Sequence, residues 1–115
     1  MDKDVLISAG IDYEEAMDRF AGSTDIYEKF LREMASMKVI EPLQKALTQG
    51  NNEEAFKIAH TLKGNFGNLS VKPLFNIISE IVDELKENNL LSSQKLYIQL
   101  ETEYDAVTNA IRRSM

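Results

Sequence analysis

The sequence predicts an all-α protein, an antiparallel up-down-up-down four-helix bundle with a short extra helix at the N-terminus. Apolar residues recur at three- and four-residue steps through most of the chain, which is the helical period. Five glycines and two prolines interrupt 115 residues, too few for a many-turned β fold. Helices with one apolar stripe each bury it best against one another, so we expect a single domain spanning residues 1–115.

The first 37 residues predict a short helix followed by a long one. Asp12 and Glu15 have the spacing of a capping box, which starts the short helix, and Gly22 ends it. Ser23 and Thr24 offer the next cap. The long helix behind this cap carries its apolar residues at helical steps, namely Ile26, Tyr27, Phe30, Leu31, Met34 and Met37.

Pro42 predicts a kink or short break between about Met37 and Glu41, because proline disfavours helical geometry before it and lacks an amide donor. The stripe then continues as far as Gly50, which we expect to end the helix. Three further helices are expected. They are a helix over about 52–69 capped by Asn51 or Asn52, one from Pro73 to the polar residues 87–89, and a last one capped by Ser92 or Ser93.

Composition excludes several classes of function. The chain has no cysteine and one histidine, which excludes a disulfide scaffold, a thiolate zinc site, a cysteine nucleophile and a two-histidine metal site. Its net charge of −6 argues against nucleic acid as a partner. No apolar run approaches a signal peptide or a membrane span, so we expect no membrane association and a cytoplasmic location.

The single histidine, His60, is predicted to face solvent. At about 100° per residue, the helix of residues 52–69 places its apolar side chains opposite the imidazole. Burial of His60 would turn this whole stripe outward. The stripe consists of Ala55, Ile58, Leu62, Phe66 and Leu69.

Two glycines share the outer face with His60. Gly64 lies about 40° from the histidine around the helix and Gly67 about 20°. Each glycine inside a helix costs roughly 1 kcal/mol relative to alanine. Close packing against a neighbouring helix is one explanation. Because both positions point away from the core stripe, we favour the other, a shelf that lets another protein approach His60.

Charged and aromatic residues complete this face. Lys57 and Lys63 bracket His60 in an otherwise acidic chain, and their charge favours an anion such as a phosphoryl group at the ring. Phe56, one turn before His60, is either a chance exposure or a hydrophobic contact for a partner. Neutral imidazole is a nucleophile near pH 7. No nucleotide loop, triad or metal cluster accompanies it, so we expect a group carrier rather than an enzyme, with the catalytic pocket on a partner.

The segment Ala59–Gly64, with Asn68-Leu69 downstream, resembles the signature of histidine-containing phosphotransfer (HPt) domains. Weaker similarity extends over about residues 10–85. It includes Gly10-Ile11-Asp12, Ala16, Arg19, Phe20, Gly22 and Tyr27, as well as Leu43, Ala46-Leu47 and Gly50-Asn51.

The resemblance implies a four-helix bundle that relays phosphoryl groups between aspartates of response-regulator receiver domains, with such receivers and a hybrid sensor histidine kinase as its partners. It implies that Nε2 of His60 accepts the phosphoryl group, that Lys63 assists electrostatically and that Gly64 gives access. Gly67 occupies a position the family fills with a small residue. The receiver supplies the acidic pocket and Mg²⁺, so no cofactor of this chain's own is implied.

Three positions depart from the family pattern. Ser70 stands where glycine is usual, Val82 where glutamate is common, and Phe66 where the residue is commonly small. The alternative function is a docking module that binds a receiver or kinase through the same face, with Phe56, Lys57 and Gly67 as contacts, and accepts no phosphate. A purely structural bundle would leave the motif unexplained. We expect a monomer, since the histidine face must remain free.

Overall fold

A computed structural model describes all 115 residues, of which 91 lie in seven helices and none in a strand ladder. The predicted all-α bundle with extra N-terminal structure is confirmed. The helices are α1 (Lys3–Ser8), α2 (Tyr13–Arg19), α3 (Thr24–Ser36), α4 (Glu41–Thr48), α5 (Asn52–Asn68), α6 (Lys72–Lys86) and α7 (Leu90–Ser114).

The bundle has four legs, and the first is α3 continued by α4 after the break predicted before Pro42. Short turns connect α4 to α5, α5 to α6 and α6 to α7, so neighbouring legs run in opposite directions. The last leg, α7, closes the ring against the first. The start of α7 lies beside α4 and its end lies beside α3, so it runs antiparallel to the first leg. Gln94 donates to the Leu47 carbonyl (2.9 Å) and Arg112 to the Ala35 carbonyl (3.0 Å).

Side-chain caps mark the starts of five of the seven helices, all except α4 and α6. Ser23 and Asn51 accept amides of α3 and α5, as predicted. The predicted caps of the last helix are wrong, because Asn89 caps α7 by accepting the Ser92 amide at 3.3 Å. Ser93 lies inside the helix, fully buried, and its hydroxyl donates to the Asn89 carbonyl.

Two short helices, rather than the single one predicted, lie across one end of the bundle. Asp2 caps α1 by accepting the amides of Asp4 and Val5. The connection to α2 passes so close to Pro73 that a Cβ on Gly10 would come within 2.5 Å of the proline ring, and Gly10 has a positive φ of 96°. Only glycine suits both conditions. This connection also joins the α5–α6 turn, where the Asp12 amide donates to the Ser70 carbonyl.

Buried tyrosines tie the legs together. Tyr27 donates to the Leu69 carbonyl (2.6 Å), Tyr97 to that of Ile40 (3.3 Å) and Tyr104 to that of Met34. Burial raises the pKa of all three phenols, and that of Tyr97 to about 12. None of the seven helices combines the length and the uninterrupted apolar character needed to cross a bilayer.

Candidate functional site

Helix α5 presents His60 to solvent, as predicted. Asn51 fixes the start of the helix, and from there the helical period turns Ala55, Leu62 and Phe66 into the core, each at most 4% exposed. Ile58, predicted in the same stripe, lies at its edge and is half-buried. His60 stands on the opposite side, exposed.

The imidazole of His60 makes no hydrogen bond within the protein, so both ring nitrogens are free for chemistry. Its one aromatic neighbour is Phe56, half-buried one turn earlier, with ring centroids 6.0 Å apart and planes inclined by 33°. This contact packs against one side of the ring and supplies no polar group. The histidine is therefore held by its helix alone.

An open cleft of about 320 Å³ lies beside the imidazole. Three helices build it: α5 supplies the floor, α6 one wall, and the C-terminal residue of α2 the other. The cleft is lined by Arg19, His60, Lys63, Gly64, Gly67, Asn68 and Phe75.

The two glycines of the cleft have different reasons to be glycine. A Cβ on Gly64 would meet nothing within 4 Å, so this position leaves open space beside His60. A Cβ on Gly67 would lie 3.2 and 3.3 Å from two ring atoms of Phe75 on α6. The prediction that no helix of the bundle needs the space at Gly67 is therefore wrong, because Phe75 packs there and forms the cleft wall.

The two lysines near His60 also differ. Lys57 is exposed and its Nζ pairs with Oε1 of Glu53, one turn back, at 3.7 Å, and it does not line the cleft. Lys63 lines the cleft with no carboxylate partner, and its Nζ lies 5.9 Å from the centroid of the Phe75 ring. Lys63 is thus the lysine whose charge is available to an anion at His60.

A polar cluster that the sequence did not reveal borders the cleft at the α5–α6 turn. Glu15 accepts from Lys72 Nζ at 2.8 Å and from the hydroxyl of the buried Ser70 at 3.0 Å. Its Oε1 also accepts from Arg19, which reaches the cleft itself. The hydrogen bonds from Lys72 and then Ser70 hold the pKa of the Glu15 carboxyl below its usual 4.5.

Ser70 stands where the family resemblance led us to expect glycine, and the backbone at this position is one that favours glycine. Its φ is +57°, in the left-handed region that glycine adopts without strain. Here the hydroxyl bond to Glu15 and the carbonyl bond to the Asp12 amide (2.9 Å) hold the serine in this conformation.

An apolar groove of about 360 Å³ adjoins the cleft, and Asn68 lines both. Exposed aromatic and aliphatic side chains rim it, with Phe30 44% and Met37 68% exposed. Seven of its ten lining residues are hydrophobic: Phe20, Phe30, Met34, Met37, Val39, Phe66 and Leu69.

This arrangement offers a nucleophilic nitrogen, an available cation and unobstructed space. It holds no group of three or more histidine, cysteine, aspartate or glutamate side chains placed to bind a metal ion. A comparison with curated proteins and one with solved structures gave no match. The family model described as the Hpt domain matches residues 25–110, well over half of the chain, including every α5 residue of the cleft. The chain therefore belongs to the Hpt domain family.

Proposed function

We propose that His60 accepts a phosphoryl group from an aspartyl phosphate of a receiver domain and passes it to another receiver. The observation that carries this proposal is an exposed imidazole, free of hydrogen bonds, beside a cleft that Gly64 leaves open. Histidine phosphotransfer in phosphorelays is the function of the family. We further propose that the chain works as a cytoplasmic monomer, because this face has to stay free for its partner.

The chemical step needs only one atom of this chain. The lone pair on Nε2 of His60 attacks phosphorus, the bond from phosphorus to the aspartyl oxygen breaks, and its electron pair returns to the partner's carboxylate. Nδ1 keeps its proton during attack and can release it to water, since no protein group accepts it. The reverse reaction delivers the phosphoryl group to the next receiver, whose own Mg²⁺ and acidic pocket supply the catalysis.

Residues around His60 take supporting roles in this proposal. Lys63 places a positive charge near the phosphoryl oxygens, and Gly64 lets the partner's backbone approach. Phe56 and Lys57 are proposed contacts at the edge of the partner's footprint. Gly67 acts differently from the sequence prediction, since it seats Phe75 and so shapes the wall of the cleft.

A docking module that binds a receiver or kinase without accepting phosphate remains the second candidate. The apolar groove that shares Asn68 with the cleft favours docking of a protein partner at this face. It serves either function, because a receiver that delivers phosphate must also bind. Only the fate of the phosphoryl group distinguishes the two.

The test incubates the protein with a panel of phosphorylated receivers and Mg²⁺. Transfer predicts acid-labile phosphate on His60, absent from the His60→Gln variant. An Hpt domain of known activity serves as the positive control. Failure of every receiver to label this chain while the control is labelled contradicts the proposal. Equal receiver binding by wild type and His60→Gln, with no transfer, identifies the docking module instead.

A further inference from the structure

Arg19 brings a second cation to the histidine cleft from a different part of the chain. It is the last residue of α2, forty-one positions before His60, and it lines the same cleft as His60 and Lys63. Its side chain is 47% exposed, so its charge reaches both the cleft and solvent. The N-terminal helices thereby contribute to the site directly.

The guanidinium of Arg19 is only partly used by the protein. Nε and Nη2 both lie 3.3 Å from the same oxygen of Glu15, Oε1. Arginine carries five N–H donors, and those on Nη1 have no protein acceptor here. Glu15 is in turn fixed by Ser70 on the α5–α6 turn and by Lys72 at the start of α6, which restricts where Arg19 can point.

The charges of this cluster favour an anion in the cleft. Arg19 and Lys72 share one carboxylate, Glu15, so the group keeps an excess positive charge, and Lys63 adds another across the cleft. Guanidinium groups bind phosphate oxygens through parallel N–H bonds, a geometry that lysine cannot offer. A guanidinium held by Glu15 through Nε and Nη2, with unpaired donors on Nη1, suits a phosphoryl group.

We infer that Arg19 contacts the phosphoryl group carried by His60, through its Nη donors, and is a phosphoryl-contacting residue of this protein. The inference rests on the proposed function, since it requires phosphate on His60. The alternative is that Arg19 only forms an ordinary surface ion pair with Glu15, four residues earlier, and such pairs contribute little to stability. The chain offers a matched example of that alternative, because Arg32 pairs with Glu28 at 3.5 Å on α3, is 52% exposed and lines neither the cleft nor the groove.

The first experiment needs no partner protein. Phosphoramidate, a small phosphoryl donor, is added to the full chain, and the four arginine Nε–Hε resonances are followed by NMR while ³¹P NMR reports phosphohistidine. We expect the Arg19 resonance to shift as phosphohistidine forms and those of Arg32, Arg112 and Arg113 to stay. In His60→Gln no resonance should shift.

The second experiment measures the rate of transfer from a phosphorylated receiver. Arg19→Gln should lower the rate about tenfold, since a charge-assisted hydrogen bond to the transferred group is lost at a partly exposed site. Arg19→Lys should recover part of that loss by restoring the charge. Arg32→Gln, the matched control, should transfer at the wild-type rate.

The outcomes separate the inference from the proposed function. Phosphohistidine that forms without a shift at Arg19, an equal shift in His60→Gln, or an unchanged rate in Arg19→Gln overturns the inference and leaves the carrier function intact. Absence of phosphohistidine with phosphoramidate and with every receiver overturns both.

Discussion

Substitutions at Gly64 separate the stability of α5 from access to His60. Glycine inside a helix costs about 0.8–1.0 kcal/mol relative to alanine, and a Cβ at Gly64 meets no atom within 4 Å. Gly64→Ala should therefore raise the free energy of unfolding by about 0.5–1 kcal/mol, or Tm by about 2–6 °C for a chain of this size. Gly64→Gln should be stabilising to a similar or slightly smaller extent.

Gly64→Gln should also slow the delivery of phosphate to His60 by a receiver protein. A glutamine at Gly64 projects into the open cleft, where the partner's reacting atoms must come within bonding distance of the imidazole. We expect transfer from a phosphorylated receiver to slow by about tenfold to a hundredfold, the range associated with a misplacement of about 1 Å. Phosphoramidate is small enough to pass, so its reaction with His60 should change by less than about threefold.

Gly67→Ala is the internal control for the stability effect. It gains the same helical preference, but its Cβ would lie 3.2 Å from the Phe75 ring, so its stabilisation should be smaller than that of Gly64→Ala. Urea unfolding measures the stability of each variant, and rapid-quench kinetics on the same samples measure its rate of phosphoryl transfer. A Gly64→Gln variant that transfers at the wild-type rate, or that loses reactivity toward phosphoramidate and receiver equally, refutes the access argument.

Three further predictions concern charge and pH. The pKa of the Glu15 carboxyl is lowered in the folded protein, so its contribution to stability is present above about pH 4.5 and is lost as the pH falls through the folded pKa. Glu15→Gln should therefore destabilise the protein at neutral pH and have no such effect in acid. Urea unfolding of both proteins at pH 7 and at pH 3 measures this difference. Burial raises the pKa of Tyr97 from 10.0 to about 12, so the stability of the fold should fall as the pH rises through this interval. An absorbance titration in which every phenol ionises near pH 10 while the protein stays folded would contradict the burial of Tyr97. Lys63→Ala should slow phosphoryl transfer by about fivefold at low salt and by less at high salt. The reason is the loss of about 1 kcal/mol of attraction between the lysine and the phosphoryl group, which salt screens. A reduction that does not depend on salt would indicate a packing role for Lys63 instead.

The face of α5 could be predicted from the sequence because it depends on one helix only. Once residues 52–69 form a helix, the apolar stripe fixes the direction of His60 without knowledge of any neighbour. The structure bears this out, with Ala55, Leu62 and Phe66 buried and His60 exposed. The break before Pro42 was predictable for the same reason, since it follows from local backbone geometry.

Features that depend on contact between helices were not predictable in this way. The sequence predicts open surface at Gly67, because the register of α6, which brings Phe75 against it, cannot be read from α5. Arg19 belongs to the residues that carry the family resemblance, but nothing in the local sequence shows that the end of α2 reaches the cleft. The positive φ of Ser70 is likewise invisible in its residue type.

Two local errors have local causes. The sequence does not predict helix α1, because its six residues are too few to show a helical period, although Asp2 followed by Asp4 is a start signal. The last helix was predicted to begin at Ser92 or Ser93 because serine is a good cap. Asn89 is as good, and it allows Leu90 to begin the helix one turn earlier.

The most direct test of the central claim is to locate the phosphate after transfer. The wild-type chain and His60→Gln are each incubated with a phosphorylated receiver and Mg²⁺, and the label is assigned by tandem mass spectrometry and by its acid lability. We predict phosphate on His60 and no other residue, and none on the variant, whose unfolding free energy should change by less than about 0.5 kcal/mol because the ring is exposed and unbonded. Phosphate on another residue, or equal labelling of the folded variant, would contradict the assignment of His60 as the phosphoryl carrier.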